Sequence, residues 1–420
     1  MSREHHVWKI GQLPPTIRPH SLAKHRVFRA YLERYVSVLT ADPRQDQFRL
    51  TLVDGFSGGG VYLDSRSKEE KSGSPLIMLE AMEKAAEEAQ KIRSKRFHLD
   101  VQFIFVEKDA ETLAYLRSVI AETRFGNLID DRIRLIQGEF TANVPEITRF
   151  VQQRGRAERV IFMLDQFGYS EVPLPTIREI LSTLKNAEVI LTFATDSLID
   201  YLSEHHEQSQ TILQNVGIVL PSKDIADAKA NPDWRRAIQY SLHRQIPERT
   251  GAKYYTPFFI RSADAHRDFW LIHLSGHFRA RDVMVGLHWK ESTSFAHYGG
   301  SGLGMLGYNQ YHDAEWTRQR MLPGFFFDEM ALKSSQEELA EQLPRHLCEF
   351  RDGIGFNDLF STLTNECPVT ADIMKGVLSE LAKSGIIEVR DKTGTQARRA
   401  GIQHDTDIIL LSRQRRMFVT

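Results

Sequence analysis

The apolar positions of this chain follow two alternating rhythms. Short continuous apolar runs at 48–53, 101–106, 133–136, 160–164 and 188–193 read as strands buried on both faces. Between them the apolar positions are spaced for helices. Over 24–39, Val27, Tyr31, Leu32, Tyr35, Val36 and Val38 make one broad apolar face, which Asp42-Pro43 ends. Further helices are expected over 75–92, with Ser74 as N-cap and Pro75 at the first position, and over 112–120 and 176–184. The segment 64–73 is polar and reads as a loop. Strands alternating with helices predict a doubly wound, mostly parallel α/β sheet, Rossmann-like in layout.

The rhythm breaks at 201–253, a polar and helical stretch read as an insertion. Two more strands are expected at 257–261 and 269–275, with a helix at 280–289. A glycine-rich stretch at 299–307 follows no apolar strand, so a turn or lid and a phosphate cradle both stay open. Beyond 323–333 the pattern changes to helices at 335–347, 356–364 and 370–384. Apolar strands at 386–390 and 408–411 then flank a polar tip, the layout of a winged helix-turn-helix. The expected domains are therefore 1–333, with a helical lead over 1–47, and 334–420.

The strand ends carry the chemistry. The first strand closes in Val53-Asp-Gly-Phe-Ser-Gly-Gly-Gly60, an acid followed at once by a glycine-rich turn. Glycines allow positive φ and close approach of a ligand to the backbone. Acidic residues at the carboxyl ends of parallel strands converge on the crevice where open α/β sheets bind ligands. Here Asp54, Glu107, Glu139 and Asp165 mark successive ends, a combination suited to S-adenosylmethionine (SAM). The expected cofactor residues are Asp54, Gly55, Phe56, Gly58, Gly60, Glu107, Glu139, Phe140 and Asp165. Glu107 would take the ribose hydroxyls, Glu139 or the Phe140 main chain the adenine edge, and Asp165 would lie beside the transferable methyl. Expected at the reacting centre are Asp165, Phe167, Lys24 and His25. Phe167 reads as a stacking platform or an ordinary core residue, and Lys24-His25 as a crevice-facing pair or an exposed basic helix end.

A nicotinamide dinucleotide fits less well, since the acid precedes the glycines and the G-x-G-x-x-G spacing is absent. No Gly-Lys-Ser/Thr follows for a P-loop. Clustered carboxylates leave a metal-dependent nuclease as a lesser alternative. Carbon-5 cytosine methylation needs a cysteine near the fourth strand, whereas the two cysteines are Cys348 and Cys367.

Composition narrows the partners. The chain has 420 residues, 41% apolar and 26% charged, with a formal net charge of −1, so any polyanion or membrane must be met by a local patch. Such a patch lies in the C-terminal segment, where Lys375, Lys383, Arg390, Lys392, Arg398 and Arg399 are the expected nucleic-acid contacts. Asp372 and Glu380 on the same helix oppose them. Two cysteines support neither a disulfide framework nor a cysteine metal cluster, and no metal site is expected. No apolar run reaches membrane-spanning length and no signal-peptide core opens the chain, so a cytoplasmic protein is expected.

Taken together, these segments resemble the three-Cys-motif partner (TcmP) family of class I SAM methyltransferase-like proteins. The matching stretches are His20-x-x-x-Lys24-His25, Val53 to Gly60, Gly73-Ser-Pro-Leu-Ile-Met-Leu-Glu80, Phe103-Ile-Phe-Val-Glu-Lys108 and Leu164-Asp-Gln-Phe-Gly168, within roughly Trp8 to Trp289. Gln166 departs from the family's Asp-Pro at the fourth strand. The resemblance implies a methyltransferase-like fold, SAM as cofactor, a three-Cys-motif partner protein and a mobile-element or phage-defence setting. Two functions follow as expectations: methyl transfer to nucleic acid or to a partner-bound substrate, or a catalytically inactive SAM-fold DNA-binding adaptor.

Overall fold

The computed structural model describes residues 7–155, 157–166, 169–194, 198, 209–219, 234–261, 268–291, 295–297, 302–303, 325–398 and 401–412. Phe167, Arg399, 201–208, 220–233 and most of 299–307 lie outside the described residues, and the described part of the expected insertion holds helices Ser209–Val216 and Trp234–Thr250. The chain packs as two units, Met1–Ala280 and Arg281–Thr420.

The first unit opens with a short strand, β1 (Thr16–Ile17), and a long helix, α1 (Pro19–Leu39), followed by β2 (Gln47–Asp54). The apolar face read in the sequence is the buried one: Val27, Phe28, Tyr31, Leu32, Tyr35 and Val36 are all buried. The helix starts at Pro19, five residues before the start expected at position 24, because proline suits the first helical turn. The polar loop expected at 64–73 is instead a hairpin of β3 (Val61–Asp64) and β4 (Glu70–Ser72). Its strands are only half-buried, so their polar pattern hid them. The next helix, α2 (Ser74–Lys91), is capped by Gly73 rather than by the Ser74 side chain. It packs against α1.

Then follow β5 (His98–Glu107), α3 (Ala110–Glu122), β6 (Ile133–Gln137), α4 (Phe140–Gln153), β7 (Arg159–Leu164), α5 (Leu174–Thr183), β8 (Asn186–Phe193), β9 (Tyr254–Arg261) and β10 (Asp268–Ser275). In the sheet these run β6-β5-β2-β7-β8-β10-β9. Strands β6, β5, β2, β7 and β8 are mutually parallel, and β10 is antiparallel to both of its neighbours. Renumbered along the seven strands, the order is 3-2-1-4-5-7-6 with the last strand reversed, the methyltransferase-like form of the doubly wound sheet. The order reverses beside β2, which puts the topological switch point at the Asp54 end. Registers Asp54↔Phe105, Asp54↔Met163 and Glu107↔Gln137 bring the strand ends to one edge. The central strands are buried on both faces, with Leu52, Val53, Val160, Ile161 and Phe162 fully enclosed.

One buried polar cluster ties α1 to the sheet. Tyr31 Oη donates to Glu188, and His273 Nε2 lies 3.2 Å from Tyr31 Oη and 3.1 Å from Glu188 Oε2. The Tyr31 phenol is held well above its ordinary pKa, first by burial and then by the Glu188 charge.

The second unit contains helices Glu329–Leu347, Phe356–Leu363 and Ala371–Lys383, and strands Ile354–Gly355, Ile387–Arg390 and Ile408–Leu411 in one small sheet. This is the winged helix-turn-helix expected from the sequence. Helix Phe278–Glu291 contributes to it from Arg281 on. The fully buried Arg281 guanidinium donates to Val369 O at 2.8 Å and to Cys367 O. Trp289 Nε1 donates to Pro368 O at 2.7 Å, and Asp282 Oδ1 accepts from Ala371 N at 2.7 Å. These bonds fix the turn that launches helix Ala371–Lys383.

Candidate active site

The glycine turn is built by main-chain bonds to both neighbours of β2. Gly55 N donates to Met163 O at 2.9 Å and Ser57 N to Val106 O at 3.0 Å. Gly58 and Gly60 have φ of +58° and +82°, the left-handed region that glycine enters without strain. Gly55 is needed for a different reason: a Cβ there would lie 2.7 Å from Leu164 Cδ2 and 2.9 Å from Phe140 Cδ2. The side chain of Phe140 therefore belongs to the core beneath the turn.

Asp54 is fully buried. Its Oδ1 accepts from Phe56 N at 3.0 Å, while Oδ2 is buried with no hydrogen-bond partner. Burial pushes its carboxyl up to about 7, against the Ser74 hydroxyl and the Phe56 amide. At the end of β5, Glu107 Oε2 accepts from Gly58 N and Oε1 from Asp109 N, both at 3.0 Å. A carboxylate offers about four acceptor positions, so about half of this one remains for a ligand. Glu139 is exposed at the head of α4.

Lys24 and His25 are both buried, so neither forms an exposed basic helix end. The Lys24 ammonium is 2.5 Å from Asp165 Oδ1 and 2.7 Å from Oδ2. Burial favours the acid form of Asp165, but the Lys24 charge and hydrogen bonds, then Thr192 and His25, outweigh it and hold the carboxyl below its ordinary pKa. His25 is pushed down to about 4, mainly by burial, and is neutral at physiological pH. Its Nδ1 is buried without a hydrogen-bond partner.

Two further residues at this edge were not among the expected site residues. Gln166, where the family resemblance leads one to expect proline, accepts from Val172 N through Oε1 at 3.0 Å and so organises the turn after β7. Tyr62, on β3, has its ring 6.2 Å from that of His25. Its phenol is raised first by burial and then by the charges of Asp165, Asp54 and Glu107. Nothing in the sequence distinguished Tyr62 from a loop tyrosine. Asp54, Phe56, Gly58, Gly60, Glu107, Lys24, His25 and Asp165 thus meet at one edge of one unit, and Phe167 lies outside the described residues.

Among the described residues, no group of three or more His, Cys, Asp or Glu is placed to hold a metal ion. Likewise, no helix there is long and apolar enough to cross a membrane.

Residues 307–394 match the family described as the GMT-like wHTH domain. No curated protein matches the chain. Solved structures similar to it include a SAM-dependent methyltransferase from Agrobacterium tumefaciens, at 11% identity and a TM-score of 0.32, covering 62% of this chain and 64% of that one. An O-methyltransferase from Bacillus cereus in complex with SAH has 11% identity and a TM-score of 0.31, covering 62% and 82%. The N-terminal domain of human METTL16 with SAH has 9% identity and a TM-score of 0.29, covering 65% and 75%. Likeness at this level says nothing of activity, and the fold rests on the strand order.

In the winged helix, four of the expected nucleic-acid contacts are already paired. Lys375 meets Asp405 at 2.6 Å, Lys383 meets Glu380 at 2.6 Å, Arg390 meets Glu388 at 2.8 Å and Arg398 meets Asp407 at 3.5 Å. Lys392 is exposed at the wing tip, and Arg399 lies outside the described residues. The outward face of helix Ala371–Lys383 presents Asp372, Gly376, Glu380 and Lys383.

Proposed function

We propose that the chain is a SAM-dependent methyltransferase, TcmP-like, acting on nucleic acid or on a substrate held by a three-Cys-motif partner protein, in a mobile-element or phage-defence setting. The observation that carries this reading is the meeting, at the switch point of a methyltransferase-like sheet, of Glu107, the unpartnered Asp54 oxygen and the Lys24–Asp165 pair. The acceptor set fits the cofactor: Glu107 has capacity for ribose hydroxyls, and the orphaned Asp54 oxygen is a buried acceptor that a ligand donor would satisfy. Glu139 and the Phe140 main chain, at the head of α4, are assigned to the adenine edge.

When bound, SAM supplies an electrophilic methyl group. The chain's own task is to place a nucleophile in line with it, since positioning provides much of the acceleration. Asp165 is ionised and held by Lys24, so it orients the acceptor group rather than serving as a free base. The unpartnered Nδ1 of neutral His25 is the acceptor in the crevice suited to take a hydrogen bond from that group. Calorimetric titration of the full chain with SAM tests the cofactor assignment, and absence of binding would refute it.

The paired basic residues of the winged helix favour a second reading for that domain: docking to protein, with the first unit retaining cofactor but serving as an adaptor. SAM binding without label transfer to nucleic acid or to the partner complex would support it.

A further inference from the structure

The N-terminal segment crosses the crevice. Trp8 is 5% exposed, donates through Nε1 to Val61 O at 2.8 Å, and meets Tyr62 edge-on at 5.2 Å. Its ring lies against the glycine turn: a Cβ on Gly59 would be 2.3 Å from Trp8 Cγ and Cδ1, and one on Gly58 3.0 Å from Cη2. That contact leaves no room for a layer of ligand atoms between indole and turn. One residue on, Lys9 Nζ lies 3.6 Å from Glu111 Oε2 in the first turn of α3. Asp109 N is the donor to Glu107 Oε1. The segment therefore runs from β3, over Gly58 and Gly59, to the head of α3, passing the end of β5. Downstream it is anchored by Leu63 N bonding Pro15 O at 2.9 Å and by the pairing of β1 with β3. Between Trp8 and that anchor, Ile10 and Leu13 are exposed by 68% and 81%, so the intervening stretch has little apolar burial holding it down.

We propose that residues 7–13 form a self-blocking strap: Trp8 covers the face of Gly58 and Gly59 against which the amino acid portion of SAM packs, and SAM binds by displacing the indole. This rests on the cofactor reading above. Apparent affinity is then reduced by the small fraction of molecules with Trp8 unseated.

The test uses the full chain. SAM affinity is measured by calorimetry for the wild type, Trp8→Ala and Trp8→Phe, and amide exchange over 7–13 is followed in the wild type with and without SAM. Trp8→Ala is expected to bind SAM about tenfold or more tightly, because the competing state is removed. SAM is expected to speed exchange across the strap. Equal or weaker binding by Trp8→Ala, or slower exchange on adding SAM, overturns the proposal and makes Trp8 a wall of the site. Should Trp8→Ala fail to fold, Trp8→Phe and the wild-type exchange decide. Binding with an unaltered strap sinks the strap alone, whereas no binding by any form sinks the cofactor reading and the strap with it.

Discussion

Lys24→Met isolates the ion pair on which the reacting edge depends. The substitution keeps the stem's packing and removes the ammonium that both Asp165 oxygens accept from, at 2.5 and 2.7 Å. Breaking a buried pair from one side costs about 3–5 kcal/mol, because the remaining charge is left uncompensated. The Lys24 side chain is 8% exposed but that of Asp165 is 24% exposed, so partial solvation of the orphaned carboxylate lowers the expectation to about 2–4 kcal/mol. Guanidinium melts of Lys24→Met, Asp165→Asn and the double variant form the cycle. The double variant should recover much of the loss, giving a coupling energy of about 1.5 kcal/mol or more. The pH dependence supplies a second check. In the wild type the Asp165 carboxyl is depressed. It therefore contributes stability present above the unfolded value of about 3.9 and lost as pH falls through the lower folded value. Without Lys24, burial dominates and raises the carboxyl above 3.9, so the penalty is greatest at neutral pH and fades as the group protonates. The gap between wild type and variant should narrow toward about pH 4. Additive single effects, or a loss below about 0.5 kcal/mol, would refute the assignment of Lys24 and Asp165 as a coupled buried pair.

Glu107→Ala removes a charged acceptor from both Gly58 N and the ribose position, and should weaken SAM about tenfold to a hundredfold in calorimetry; unchanged affinity removes Glu107 from that role. Gly55→Ala drives a Cβ against Leu164 and Phe140 and should cost about 1–3 kcal/mol in chemical denaturation, with a neutral result refuting the close packing. Asp54, raised to about 7, contributes stability that is full below its unfolded value and lost as pH rises through 7. Asp54→Asn should therefore flatten the stability profile between pH 4 and 7, and an unchanged slope would contradict it. Because Lys375, Lys383, Arg390 and Arg398 are already paired, any duplex DNA binding should show a salt slope no steeper than about −3; a steeper one, measured by fluorescence anisotropy, would return these residues to phosphate contact.

The sequence determined the sheet and its acidic edge. Apolar runs buried on both faces have a period and length that few other structures tolerate, so β2, β5, β6, β7 and β8 were legible, as were the acids that follow them and the winged helix. Helix α1 was legible for the same reason, since one continuous apolar stripe can only face a core. Local patterning is silent where a structure is made by distant partners. The β3–β4 hairpin looked like a polar loop because its strands are only half-buried. Tyr62 and Trp8 gained their places only when that hairpin and the N-terminal segment folded back over the glycine turn. The pairing of Lys24 with Asp165 spans 141 positions, and the Tyr31–Glu188–His273 cluster joins three elements. Such contacts are decided by tertiary packing, because burying a charge or a phenol is tolerable only once its partner has been brought beside it from elsewhere in the chain.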